Sequence, residues 1–135
     1  MDDMIKGVGH IGIAVRDIGK SLETICRVLK VPIPPIRDNP DRKMKVAVVA
    51  LENLSLEVLE DYSDDGMFAK YVRERGNAIH HICFLTDDMD SDLRSLEERG
   101  VEWLNRKPAV GLRGKQIVFS TPSALDGIPL ELSEP

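Results

Sequence analysis

The chain predicts an α+β fold of two tandem βαβββ modules, whose strands form a cupped mixed β-sheet with the helices on its outer face. Two internal matches carry this. Shifting the chain by 71 residues lays HIGIAVRDIGKSLE at 10–23 over HICFLTDDMDSDLR at 81–94, so that His10 falls on His81, Ile11 on Ile82, Asp17 on Asp88 and Leu22 on Leu93. A shift of 74 lays SLEVLE at 55–60 over PLELSE at 129–134, with Glu57 on Glu131. A module of about 60 residues is too small to bury a stable core alone. The expectation is therefore one domain over 1–135, with module one at about 8–60, a linking helix at about 64–76 and module two at about 78–134.

Each element follows from its pattern. His10 to Val15 and His81 to Thr86 place Ile11, Ile13 and Val15, or Ile82 and Phe84, on one face at period two, which is a half-buried strand. Asp17 and Asp88 stand at N-cap positions ahead of Leu22, Ile25 and Leu29 in one copy and Leu93 and Leu96 in the other. Pro32 is expected to close the first helix and Gly100 the second. Strands follow at Met44–Leu51, Ser55–Glu60, Gln116–Ser120 and Ile128–Ser133, with a short strand after each helix. ENLS at 52–55 suits a hairpin turn and PSALDG at 122–127 a longer loop. Phe68, Tyr71 and Val72, ahead of Gly76, predict the linking helix.

Composition excludes several function classes. With 18 basic against 23 acidic residues the net charge is −5, and only six residues are aromatic, so neither phosphate attraction nor base stacking supports a nucleic-acid partner. The apolar run VAVVAL at 46–51 is far below the roughly 18 residues of a membrane span. A soluble, cytoplasmic protein is expected. Cys26 and Cys83 lack metal or redox spacing and read as buried reduced thiols.

Parity then gives the chemistry. With Ile11, Ile13, Val15, Ile82 and Phe84 turned to the helices, and Leu56, Val58, Leu130 and Leu132 with them, His10, His81, Glu57 and Glu131 share the opposite face. Two imidazoles and two carboxylates converging there suit one divalent metal ion per chain, such as Co, Mn, Ni or Zn. His80 has helix-side parity and reads as structural. GLRGK at 111–115 reads as an exposed hairpin with the glycine spacing of a phosphate cradle, and DDMDSD at 87–92 as a capped strand-to-helix corner.

These features resemble the vicinal oxygen chelate (glyoxalase/bleomycin resistance/dioxygenase) superfamily. Within it, LEVLEDYSDDGMFAKYVRERGNAIHHICF at 56–84 and GLRGKQIVFSTPSALDGIPLELSE at 111–134 resemble the methylmalonyl-CoA epimerases. The resemblance implies His10, Glu57, His81 and Glu131 as metal ligands, an acyl-CoA substrate and a homodimer. It also implies inversion at C2 by proton transfer through a stabilised enolate, with Glu131 as a base. Glu57 is Gln in some members. Asp61 replaces a usual Pro, a change expected to be minor. Some epimerases place a second base, a Glu, on the third strand, whereas MKVAVVAL at 44–51 has no acid. Lys45, Gln116 and Ser120 are the sequence's candidates for that second role. Lactoylglutathione lyase (glyoxalase I) and a non-catalytic small-molecule binding protein of the same fold are the alternatives.

Overall fold

The computed structural model describes residues 4–135. Eight strands and three α-helices make an α+β fold with parallel and antiparallel strand pairs, in the order β1 (Val8–Ala14), α1 (Ile18–Leu29), β2 (Arg37–Asn39), β3 (Met44–Ala50), β4 (Ser55–Asp61), α2 (Met67–Arg75), β5 (Ala78–Leu85), α3 (Met89–Glu98), β6 (Ala109–Val110), β7 (Gln116–Phe119) and β8 (Leu130–Ser133). The chain divides into two compact units, Ile11–His80 on the one hand and Met1–His10 with His81–Pro135 on the other.

In the unit of residues 11–80, β2, β3 and β4 pair antiparallel. Helix α1 starts where the sequence places its cap: the Asp17 side chain accepts from the Lys20 backbone N–H at 3.2 Å. It ends at Lys30, a non-glycine residue in the left-handed region (φ 60), two residues before Pro32. Ile18, Leu22, Ile25 and Cys26 pack on Ile13, Val15, Ala47, Val49, Leu56 and Val58, which is the face that alternation assigned to the helix.

Helix α2 starts in a way the sequence does not announce. Its N-cap is Gly66, which offers no side chain, and the cap comes instead from Asp61 on β4. Asp61 Oδ2 accepts from Ala69 N at 3.1 Å, and Oδ1 accepts from Ser63 N at 3.0 Å and Ser63 Oγ at 2.6 Å. A Cβ at position 66 would run into this carboxylate, so any larger residue there would have to displace the cap. Asp61 is thus no minor replacement: it holds the linking helix on β4.

In the other unit, β5 and β8 run parallel, β7 pairs antiparallel with β8, and β6 with β7. Asp88 caps α3 by accepting from Ser91 N at 3.2 Å, repeating the contact of Asp17. Gly100 follows the helix at φ 95. Met89, Leu93 and Leu96 pack on Phe84, Trp103, Val118, Leu130 and Leu132. The stretch expected as a loop at 122–127 contains a 3-10 turn over Pro122–Leu125, closed by Asp126 and Gly127 at positive φ. Cys26 and Cys83 are buried and not joined in a disulfide, and among the described residues no helix is long and apolar enough to cross a membrane.

Candidate metal centre

The register of β5 and β8 decides where their polar side chains point. Ile82 pairs with Leu130 and Phe84 with Leu132, and Phe84, Leu130 and Leu132 belong to the core under α3. The period of two leaves His81, Cys83, Glu131 and Ser133 on the opposite face. On β1, burial alternates and His10, Gly12 and Ala14 are the buried positions. His10 belongs by sequence to module one, yet its ring meets residues of module two.

The structure brings His10, His81 and Glu131 together, each less than 5% exposed. His10 Nε2 lies 3.3 Å from His81 Nε2 and 3.2 Å from Glu131 Oε1, and His81 Nε2 lies 3.0 Å from the same oxygen. Donors bonded to one ion at about 2.1 Å are about 3.0 Å apart at a right angle and about 3.4 Å apart at the tetrahedral angle. The triangle therefore has the edges of one face of a coordination polyhedron, and its two nitrogens and one carboxylate oxygen suit a borderline divalent ion. A His-His-Glu group that could bind a metal is thus in place. Glu57 lies buried on β4 in the unit of residues 11–80, opposite Val48.

Electrostatics favour a charged carboxylate here. Burial pushes the Glu131 carboxyl up, but hydrogen bonds from His10 and then His81, with their positive charge, outweigh it and hold it down at about 2. Both imidazoles can donate from Nε2 to Oε1, and an ion would displace those protons, leaving Nδ1 as the protonated nitrogen. Phe119 stands opposite Glu131 across the β7–β8 pair and bounds the group on that side.

His80 belongs to the unit of residues 11–80. It is buried edge-on against Phe68 at 4.6 Å and Tyr71 at 4.7 Å, both on α2.

The three candidates for a second acid or base are overturned. Val118 pairs with Leu132 and packs in the core under α3, so Gln116 and Ser120 share the helix side while Ile117 and Phe119 share the face of Glu131. The Ser120 hydroxyl is spent on backbone, accepting from Leu130 N and donating to Thr121 O, both at 2.8 Å. Lys45 pairs with Glu60, whose carboxylate accepts from Ile18 N of α1, so it too lies on the helix side, with its ammonium 5.7 Å from the Tyr62 ring centre. GLRGK forms the β6–β7 hairpin connection, with Gly111 N donating to Lys115 O at 2.8 Å.

Comparison with known proteins agrees with the fold. A Bacillus subtilis (strain 168) protein named Uncharacterized protein YqjC is 30% identical over 93% of this chain and 90% of its own. An ethylmalonyl-CoA/methylmalonyl-CoA epimerase of Cereibacter sphaeroides is 27% identical over 97% of this chain and 99% of its own. A variant of Streptomyces coelicolor methylmalonyl-CoA epimerase, solved in complex with 2-nitronate-propionyl-CoA, superposes with a TM-score of 0.87 at 26% identity, covering 97% of this chain and 95% of that one. The model of the Glyoxalase/Bleomycin resistance protein/Dioxygenase superfamily matches residues 9–119. With its repeated modules and its buried His-His-Glu group, this chain belongs to that superfamily.

Proposed function

We propose that the protein is a metal-dependent epimerase that inverts C2 of methylmalonyl-CoA or a related 2-substituted malonyl-CoA. The observation that carries the reading is the convergence of His10, His81 and Glu131 on one point, in a chain whose relatives include named epimerases. In this reading the ligands are His10, His81, Glu131 and, from its place in the repeat, Glu57. The ion is Co, Mn, Ni or Zn, with cobalt the first choice, and the protein works as one domain over 1–135, as a homodimer in the cytoplasm.

Held by these residues, a divalent ion would supply Lewis-acid stabilisation of the negative charge that develops on the thioester oxygen as the C2 hydrogen leaves. The chain's part is to orient and to move the proton. In the metal-free protein both imidazoles bond Oε1 and hold the Glu131 carboxyl at about 2, which makes it a weak base. With both Nε2 atoms turned to an ion those hydrogen bonds would be gone, and burial would make a carboxylate swung off the site the stronger base that proton abstraction needs. With Lys45, Gln116 and Ser120 on the other face, the returning proton comes from a water.

The test is turnover of each C2 epimer of methylmalonyl-CoA by the metal-loaded protein, alongside the methylglyoxal–glutathione adduct. Interconversion of the epimers that stops with a chelator is expected. Turnover of the glutathione adduct alone would assign the protein to the lyases, and turnover of neither would end the enzymatic reading.

A further inference from the structure

We propose that Arg113 recognises the free carboxylate of the acyl group and so sets a preference for malonyl-type thioesters over simple acyl-CoA. This rests on the epimerase reading. The β6–β7 connection is closed by Gly111 N donating to Lys115 O at 2.8 Å and Gly114 N donating to Gly111 O at 3.0 Å, with Gly114 at φ 78. It lies against the face that carries Glu131, because a Cβ on Gly111 would come within 2.9 Å of Ile117 Cδ1, and Ile117 stands opposite Ser133. From this arm the Arg113 Nη2 donates to Ser133 Oγ at 2.9 Å.

Ser133 is fully buried and two residues beyond Glu131 on the same face, about 6.6 Å along the strand. Its hydroxyl donates to Glu134 O at 2.8 Å, which turns a lone pair to the guanidinium. Among the described residues Ser133 is the one hydrogen-bond partner of Arg113, so the rest of the planar N–H fork is open to a carboxylate. Distance selects the carboxylate: a malonyl group bound at the His-His-Glu group reaches this far, whereas the pantetheine arm carries the phosphates of CoA well beyond it.

The test measures binding of methylmalonyl-CoA and propionyl-CoA to the metal-loaded full chain by titration calorimetry, for the wild type, Arg113→Met and Arg113→Lys. These ligands differ in the carboxylate alone. In Arg113→Met the Kd for methylmalonyl-CoA should rise roughly 10- to 100-fold while that for propionyl-CoA stays within about 2-fold, with Arg113→Lys in between. Equal weakening of both ligands, or no change in either, overturns the assignment. A wild type that exchanges the C2 hydrogen, paired with an Arg113→Met protein that keeps its discrimination, removes this inference and leaves the epimerase reading standing. A wild type that binds neither ester removes both.

Discussion

The ring of Phe119 meets the His81 ring edge to face, with centroids 5.0 Å apart and planes at 89°. A ligand held in one orientation by a packed aromatic loses no rotamer freedom when it binds an ion. Phe119→Leu should keep the fold and weaken metal binding about tenfold. Metal titration beside a circular dichroism melt checks this; unchanged affinity would show that Phe119 only fills space.

Removal of ligands gives a sharper outcome. The wild type should hold about one divalent ion per chain, His81→Ala should lose most of it, and loss of both His10 and His81 should abolish it. Elemental analysis of dialysed protein reads this directly. Stoichiometric metal in the double variant would mean that the ion sits elsewhere.

Replacement of the two glutamates should differ. Glu57→Gln keeps an oxygen donor and is expected to stay within about tenfold of wild-type activity, whereas Glu131→Gln loses the base as well and should fall by about 10³. Initial rates at matched metal occupancy separate the two. Equal losses would leave Glu131 with no role beyond ligation.

Metal-free protein should also report the Glu131 environment through acid stability. A folded pKa lowered from 4.5 to about 2 means that the unfolded chain takes up the proton first. The stabilisation is complete above the unfolded value and is lost as pH falls through about 2, amounting to about 3 kcal/mol. Urea titrations between those limits should show a steeper decline for wild type than for Glu131→Gln, and parallel declines would contradict the geometry.

Much of this was legible because alternation is a strong signal where one face is apolar and the other is not. His10, His81 and Glu131 each stand on the other face of such an alternation, and the repeat doubled the signal. The faces of Lys45, Gln116 and Ser120 were illegible for the opposite reason. In β3, Val46 and Val48 alternate with Ala47 and Val49, and in β7 Ile117, Val118 and Phe119 run consecutively. With apolar residues on both faces, parity cannot be read from the strand itself; it is set by register against β4 and β8. The capping of α2 by Asp61 was hidden because the capped N–H lies eight residues away.

Metal-assisted proton transfer at C2 leaves an isotopic record, read by incubating the metal-loaded protein with methylmalonyl-CoA in heavy water and taking mass spectra at early conversion, with and without a chelator. Inverted product should carry one solvent deuterium at C2, and both inversion and exchange should be lost on chelation. Inverted product that keeps its original hydrogen, or exchange that persists undiminished without the metal, would contradict that mechanism.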